Sequence, residues 1–308
     1  MTSTDDRLPS WRPGATRDAV LAFLDQAPTI PERDRMACFD NDGTLCCERP
    51  NYIQLEFFLD ALSRAVHADP ALADKAEFAA LLSGDRAAVG EIGLPRVALA
   101  LTGLFAGMSP EEFSVRVRDF MAVATHPTLD RPLRRSVYQP MLELIAELRR
   151  LSFAVTIVTG GGTEFVRAVS QELYGVPPEA VVGTLIEYDY RTDTDGPSLR
   201  RSTRLLGEVN EGAAKVRNIQ TLLGRRPILA GGNSSGDREM LEWAGTADGP
   251  SLALLVDHDD DERELRYESR AETFTDPESI TDVAHRSGWT VVSMAGDWDT
   301  VFPDEHDG

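Results

Sequence analysis

The sequence predicts an α/β fold in which a parallel sheet carries helices on both faces and is interrupted by a long helical block. From Pro140 onward, short apolar runs alternate with helix-like segments, a pattern typical of buried parallel strands joined by crossover helices. Residues 49–136 instead carry apolar residues at helical spacing and contain no convincing strand. A chain of 308 residues, 42% of them hydrophobic, is long enough to bury such a core.

The first helices and the first strand are predicted from capping residues, prolines and apolar runs. A helix is predicted to begin at Thr16, as its N-cap, and to end before Pro28. Residues 36–39 are apolar and stop abruptly at an Asp-Asn-Asp-Gly sequence, which is how a buried strand ends at the active edge of a sheet. In the helical block, residues 52–67 are predicted to be helical, and Ser109 is predicted to cap another helix.

The second half of the chain continues the alternation. The predicted helices are 141–150, 164–173, 212–223 and 236–244, and the predicted strands are 153–158, 227–230, 252–256 and 289–294. Residues 180–190 are predicted to be extended, and residues 191–202 to be a polar, turn-rich stretch. The acidic run 257–264 is predicted to be a solvated loop.

Charge excludes several classes of partner. With 31 basic and 51 acidic residues the net charge is −20, so the surface repels nucleic acids and anionic membranes. No apolar run approaches the roughly 18 residues of a membrane-spanning helix, and the polar start lacks the pattern of a signal peptide. We therefore expect a cytoplasmic protein. The three cysteines, Cys38, Cys46 and Cys47, are expected to be small buried apolar residues.

Two carboxylates follow the first predicted strand. Asp40 and Asp42 are two residues apart, so they project to the same side while the chain stays extended. Like charges so placed raise a pKa or attract a cation, and hard oxygen ligands suit Mg²⁺. The other interpretation is a solvated turn in which Gly43 supplies the bend.

Two further polar clusters follow later strands. Thr159 precedes three glycines, whose backbone N–H groups at the start of a helix favour an anion such as phosphate. Residues 232–237 supply further oxygen ligands. Lys215 is one of only two lysines among the 31 basic residues, and its compact ammonium group suits a phosphoryl oxygen. The ends of parallel strands share one edge of a sheet, so these clusters are predicted to converge.

Together these segments resemble a known set of motifs. The sequences FDNDGTL (39–45), VTGGG (158–162) and GGNSSGD (231–237), with Lys215, are similar to the four ordered motifs of the haloacid dehalogenase superfamily, and most of all to its phosphoserine-phosphatase-like branch. The resemblance spans residues 39–240. It implies a Rossmann-like α/β core formed by residues 1–48 and 137–308, a helical cap formed by residues 49–136, and hydrolysis of a small phosphomonoester in two steps.

The resemblance also implies residue roles. Asp40 corresponds to the nucleophile that forms an aspartyl-phosphate, and Asp42 to the acid that protonates the leaving group and then activates water. Mg²⁺ is implied as the cofactor, held by the Asp40 carboxylate, the Asp42 backbone carbonyl and Asn233. Asp237 is expected to orient Lys215 or a metal-bound water. The implied phosphate-binding residues are Gly43, Thr159, Gly160, Gly161 and Lys215.

Two positions depart from the pattern of relatives. Asn233 stands where many relatives have an aspartate as the third metal ligand, which predicts similar or weaker Mg²⁺ binding. Arg49 stands nine residues beyond the nucleophile, where phosphoserine phosphatases have a glutamate that meets the substrate ammonium. A cation there disfavours phosphoserine and suggests a substrate-binding role for Arg49 toward an anionic or hydroxyl-rich leaving group.

Two alternatives remain open at this stage. Residues 232–236 also satisfy the G-x-S-x-G pattern of serine hydrolases, with Ser234 as nucleophile and Asp257 and His285 as its partners. No oxyanion segment of the HGG type precedes them, and the Asp40 cluster would then have no role. A non-catalytic protein that binds a phosphorylated ligand on the same fold is the second alternative.

Overall fold

A computed structural model describes residues 6–194, 196–271 and 278–303. The outermost parts of the predicted core, residues 1–5 and 304–308, lie outside the described residues. The strands are β1 (Met36–Phe39), β2 (Ala154–Gly162), β3 (Val181–Asp193), β4 (Gly196–Leu206), β5 (Leu229–Gly232), β6 (Leu252–Asp257) and β7 (Thr290–Ser293).

The helices flank this sheet or lie between β1 and β2. They are α1 (Ala15–Gln26), α2 (Ile53–Ala68), α3 (Ala76–Ser83), α4 (Arg86–Ile92), α5 (Leu94–Thr102), α6 (Pro110–Val123), α7 (Gln139–Arg150), α8 (Thr163–Tyr174), α9 (Ala213–Leu223), α10 (Arg238–Gly245), α11 (Ile280–Ser287) and α12 (Met294–Asp297). No helix of the described residues is both long and apolar enough to cross a membrane.

The seven strands form one sheet in the order β4-β3-β2-β1-β5-β6-β7. All neighbouring pairs are parallel except β3 and β4. The predicted α/β class with a parallel sheet is therefore confirmed. The chain adds β2 and β3 on one side of β1 and then β5, β6 and β7 on its other side. In open α/β sheets, ligands bind in the crevice where the direction of strand addition changes in this way.

Strand β1 shows why four apolar residues suffice for a central strand. Successive side chains point to opposite faces, and both faces are covered. Ala37 and Phe39 pack into the hydrophobic cluster on one face, and Met36 and Cys38 pack into the cluster on the other. All four are 2% exposed or less, so the polar sequence that follows marks the sheet edge.

The segment between β1 and β2 is helical in the described residues, as predicted. Ser109 caps α6 through a reciprocal capping box with Glu112, the arrangement that the sequence predicted. The helices pack around Phe57, whose ring lies 5.0 Å from that of Phe105 and 5.5 Å from that of Phe165 on α8. We call residues 49–136 the helical insertion; its apolar centre is continuous with the core.

Two predicted elements differ in the structure. Helix α1 begins at Ala15 with Gly14 as its N-cap, so the prediction of Thr16 as N-cap was wrong. The polar stretch 191–202 is not a set of turns: its described residues belong to the β3–β4 hairpin. A two-stranded hairpin exposes much of its surface to water, so polar residues are compatible with it and hide its pattern.

The acidic run 257–264 is a third correction. The prediction of a solvated loop fails because His258, Asp260 and Glu264 are buried, with exposed fractions of 1%, 4% and 3%. His258 and Glu264 contact distant residues, which the sequence pattern does not reveal, whereas Asp260 pairs with Arg263 of the same run. Glu264, for example, accepts hydrogen bonds from the Tyr138 hydroxyl and the Cys47 thiol. All three cysteines are buried, as predicted.

Candidate active site

The three predicted polar clusters meet at one edge of the sheet. Phe39 on β1 is aligned with Ile157 on β2 and with Gly231 on β5. The residues just beyond these three positions therefore lie side by side, as the convergence of parallel strand ends requires. The structure thus brings Asp40, the Thr159 cluster and the Asn233 cluster together.

Lys215 joins two of these clusters. Its Nζ donates to Asp40 Oδ1 and to Asp237 Oδ1, each at 2.6 Å. Asp237 Oδ2 in turn accepts the backbone N–H groups of Asn233 and Ser234, each at 3.0 Å. Asp237 therefore links Lys215 to the turn after β5, and its supporting role in the reaction stays a prediction.

Burial makes the charges of this group strongly interdependent. Burial, reinforced by the neighbouring Asp237 carboxylate, raises the pKa of Asp40 to about 8 even though Lys215 opposes the rise. Burial lowers the pKa of Lys215, but the carboxylates of Asp237 and Asp40 outweigh it and hold that pKa above its usual value. The lysine is therefore a permanent cation beside the predicted nucleophile.

Two buried oxygens face a place suited to a cation. The Thr44 hydroxyl lies 3.4 Å from both Asp40 Oδ2 and Asn233 Oδ1, and its single proton serves only one of them at a time. No other donor among the described residues hydrogen-bonds either oxygen. Carboxylate and amide oxygens are hard ligands, so this pair fits Mg²⁺. The described residues contain no cluster of three His, Cys, Asp or Glu side chains for a metal, and the Asp42 backbone carbonyl stays a predicted ligand.

Glu48 fixes the orientation of the Asn233 amide. Asn233 Nδ2 donates to Glu48 Oε1 at 3.1 Å and to Ser269 Oγ at 3.2 Å, which turns Oδ1 toward Asp40. Glu48 is buried, and burial raises its pKa to about 8. An aspartate at position 233 would place two carboxyl groups in contact, so Glu48 gives a physical reason for the asparagine.

This contact gives a testable prediction. We expect Asn233→Asp to lower the free energy of unfolding by about 1–3 kcal/mol, because the new carboxylate meets Glu48 instead of donating to it. The double variant with Glu48→Gln restores a donor and an acceptor, so we expect a favourable coupling of about 0.5–3 kcal/mol in a double-mutant cycle measured by urea unfolding. Asn51→Asp, which removes a half-buried amide bond to Glu56, is the control and costs less. Strictly additive effects would contradict the contact.

Asp42 and the glycine segment form the other wall of the site. Gly161 N donates to Thr159 Oγ1 at 2.9 Å. A side chain at Gly161 would stand 3.8 Å from Asp42 Oδ2 and 2.8 Å from Gln54 Oε1, so the glycine keeps this space open. Burial raises the pKa of Asp42, which the Asn41 side chain opposes, and a raised pKa suits a general acid.

Several of these positions depend on backbone features. Gly43 has φ +76° and lies against Asn233, where any Cβ would overlap the amide. Strand β2 extends through Gly162, and α8 begins at once at Thr163, so the three glycines stand at a direct junction of strand and helix. Gly162 N donates to Gln54 Oε1 at 2.8 Å, which brings the first turn of α2 to this junction.

The serine-hydrolase arrangement is not assembled. Ser234 Oγ accepts from Gly236 N at 3.2 Å and lies 3.3 Å from Asp237 Oδ2, as the cap of a short 3₁₀ turn. Within residues 6–194, 196–271 and 278–303, no histidine hydrogen-bonds this hydroxyl, and His285 is exposed on α11. A serine nucleophile needs a hydrogen-bonded base.

Arg49 is placed over an aromatic ring. Its guanidinium carbon lies 4.7 Å from the centre of the Tyr267 ring, and the ring of Tyr267 stacks on that of His258 at 4.3 Å. Arg49 Nε is buried and has no hydrogen-bond partner in the described residues. Its substrate-binding role stays a prediction. Sequence reasoning missed Gln54, His258 and Ser269: the only signal for the first two was their position beside a helix start or a strand end, and Ser269 lies in the middle of the segment between β6 and α11.

Comparisons with known proteins identify the family of this chain. The family model of haloacid dehalogenase-like hydrolases matches residues 37–242, which include all the motif residues. No curated protein matches the chain. A protein of unknown function from Bordetella pertussis Tohama I is similar in structure, with 20% identity, 84% of this chain and 97% of that chain covered, and a TM-score of 0.50.

Two further structures are more distant. A phosphoserine phosphohydrolase-like protein from Francisella tularensis subsp. tularensis SCHU S4 has 18% identity, covers 82% of this chain and 99% of its own, and has a TM-score of 0.40. A probable phosphoserine phosphatase from Vibrio cholerae has 16% identity, covers 81% and 62%, and has a TM-score of 0.41. Since the family model spans most of the chain and its motif residues meet at one sheet edge, this protein belongs to the haloacid dehalogenase-like hydrolase family.

Proposed function

We propose that the protein is a Mg²⁺-dependent phosphatase that hydrolyses a small phosphomonoester through a phosphorylated Asp40. The observation that carries the proposal is the contrast between the two oxygens of Asp40. Oδ1 is held by Lys215 at 2.6 Å, whereas Oδ2 has only the Thr44 hydroxyl at 3.4 Å among the described residues. A carboxylate oriented on one oxygen and open at the other suits a nucleophile.

The reaction then follows from the neighbours of Asp40. A carboxylate oxygen of Asp40 forms a bond to phosphorus while the bond to the leaving oxygen breaks, and Asp42 gives its proton to that oxygen. Asp42 then takes a proton from water, whose oxygen attacks phosphorus and releases phosphate, so Asp40 is regenerated. Thr159, Lys215 and the backbone N–H groups of the glycine segment bind the phosphoryl oxygens.

A divalent cation completes the electrostatics of this proposal. Asp40, the backbone carbonyl of Asp42 and Asn233 would hold Mg²⁺. When bound, it would reduce the repulsion between the anionic nucleophile and the anionic phosphate. Asp40 Oδ2 and Asn233 Oδ1, which both lie 3.4 Å from the Thr44 hydroxyl, support this assignment.

The helical insertion is proposed to be the cap that selects the leaving group, in a domain formed by residues 49–136. Gln54 at the start of α2 contacts Gly162 of the core, so the insertion reaches the proposed phosphate site. A cap in that place limits the access of water during the reaction.

The proposal is tested by release of phosphate from p-nitrophenyl phosphate with Mg²⁺ and with EDTA. We expect turnover that EDTA abolishes and added Mg²⁺ restores. In Asp42→Asn, the second step lacks its base, so acid-quenched protein should carry phosphate on the peptide that contains Asp40. No turnover with any substrate of a broad panel would favour the non-catalytic alternative, and modification of Ser234 by a fluorophosphonate would favour a serine hydrolase.

The same panel tests the interpretation of Arg49. Its buried Nε, which has no hydrogen-bond partner among residues 6–194, 196–271 and 278–303, supports a role toward an oxygen-rich leaving group, such as a sugar or a second anionic group. We expect sugar phosphates and nucleotides to be hydrolysed with higher kcat/KM than phosphoserine. Phosphoserine as the best substrate would contradict this interpretation.

Gln54 gives a prediction on substrate binding that leaves the fold intact. In Gln54→Glu, a carboxylate oxygen still accepts from Gly162 N, but it adds an anion beside the proposed phosphate site. We expect KM for p-nitrophenyl phosphate to rise about tenfold, with less effect at high salt. The control is Gln220→Glu on the exposed face of α9, which makes the same change of net charge. Equal KM values in the two variants would show that Gln54 does not lie beside the bound phosphate.

A further inference from the structure

His258 lies in the segment after β6 and contacts the loop that follows β1. Its Nε2 is 2.8 Å from the backbone oxygen of Gly43, and its Nδ1 is 3.2 Å from Glu264 Oε2. His258 is 1% exposed and Glu264 is 3% exposed, so water does not compete for either contact. None of the family motifs in this sequence includes either residue.

The contacts determine where the protons are. A carbonyl oxygen only accepts hydrogen bonds, so Nε2 of His258 must carry a proton. Glu264 already accepts from the Tyr138 hydroxyl at 2.8 Å, from the Cys47 thiol at 3.1 Å and from its neighbour's backbone N–H, Leu265 N, at 3.0 Å. Three donors stabilise an ionised carboxylate, and an ionised carboxylate requires a proton on Nδ1 as well.

The electrostatics of Glu264 agree with this geometry. Burial raises the pKa of Glu264, but the hydrogen bonds and the charge of His258 outweigh burial and bring that pKa below its usual value. Burial raises the pKa of Tyr138, so its hydroxyl stays a donor. The contacts and the lowered pKa both indicate that Glu264 is an ionised carboxylate.

The carbonyl that His258 holds belongs to the centre of the proposed nucleophile loop. Gly43 lies between Asp42, the proposed acid, and Thr44, whose hydroxyl lies near both Asp40 and Asn233. The Gly43 N–H donates to Cys46 O at 2.8 Å. Glycine at a φ of +76° has a flexible backbone, but here both the N–H and the carbonyl oxygen are hydrogen-bonded. These two bonds hold the backbone of Gly43 in one conformation.

We propose that His258 is a positioning residue: as an imidazolium paired with Glu264, it holds the Gly43 carbonyl and thereby keeps Asp40 aimed at phosphorus and Asp42 at the leaving oxygen. A charged donor makes a stronger hydrogen bond to a carbonyl than a neutral one does. A displacement of about 1 Å at reacting groups costs on the order of 100-fold in rate, so the loop gains from such a restraint. The link to catalysis rests on the proposed function; the imidazolium does not.

The first test reads the imidazole directly. In full-length protein labelled with ¹⁵N-histidine, we expect both ring nitrogens of His258 to give protonated chemical shifts at neutral pH. The five histidines are assigned by single His→Gln substitutions, and if His258→Gln does not fold, the remaining four assign His258 by elimination. An unprotonated Nδ1 would overturn the proposal whether or not the protein is a phosphatase.

The second test separates positioning from folding. For His258→Phe, which keeps a ring against Tyr267 but has no donor, we expect kcat per folded molecule to fall about 100-fold while KM changes little. His258→Gln, with a neutral amide donor, should recover part of that loss. His285→Gln on the exposed end of α11 is the control and should match wild type. A folded His258→Phe with wild-type kcat overturns the positioning role, whereas an inactive wild type contradicts the proposed function instead.

Discussion

Asp40→Asn abolishes phosphate release: we expect turnover at least about 10⁴-fold below wild type, because the amide cannot form the bond to phosphorus. The amide has nearly the same shape as the carboxylate, and it still offers an oxygen to Lys215, 2.6 Å away in the wild type. The variant should therefore fold and still bind a phosphate analogue. Turnover with p-nitrophenyl phosphate at saturating Mg²⁺ measures the effect.

The control for this variant is the same substitution at an exposed site. Asp18 lies on the first turn of α1 and is exposed, so Asp18→Asn should keep wild-type turnover. Activity of Asp40→Asn within tenfold of wild type would show that the nucleophile is another residue. In that case the phosphorylated peptide isolated from Asp42→Asn identifies which residue it is.

Lys215→Met has the largest expected effect on stability. We expect the free energy of unfolding to fall by about 3–5 kcal/mol, because the substitution leaves two buried carboxylates without their shared cation. Lys215 is 2% exposed, and its partners Asp40 and Asp237 are 6% and 1% exposed, so water cannot replace it. Urea unfolding, followed by circular dichroism, measures the loss.

The chain supplies a matched control and a compensating variant. Lys75, the only other lysine, is exposed, so Lys75→Met should change stability by less than about 0.5 kcal/mol. Adding Asp237→Asn to Lys215→Met removes one of the two unpaired charges, so the double variant should be more stable than Lys215→Met alone. A Lys215→Met protein as stable as wild type would contradict the bridging role of the lysine.

The strand ends were predictable because their signals are local. Residues 36–39 are four apolar residues followed by polar ones, and the structure contains that strand with those bounds. Asp40, Thr159 and Asn233 each follow such a run, and parallel strands deliver their ends to one edge. The same local reasoning failed for residues 191–202. Their described part belongs to β3 and β4, which form strands because they pair with each other and not because of an apolar pattern.

The partners of the site residues were not predictable, since they come from distant parts of the chain. Glu48 and Asn233, 185 residues apart, share a hydrogen bond, and His258 reaches Gly43 across 215 residues. In the sequence, His258 lies in an acidic run that resembles a solvated loop. Its burial arises because the segment after β6 folds back beneath the loop after β1.

By itself, the sequence determined the α/β class, the central strand and the residue types that carry the chemistry. The spacing of apolar residues and the polar residues at strand ends can be read from short stretches of sequence. Only the tertiary structure decided which oxygen of Asp40 is open, which way the Asn233 amide points and that His258 contacts the Gly43 carbonyl. Those properties depend on burial and on hydrogen bonds between residues far apart in the chain, and burial determines how strongly each charge affects the next.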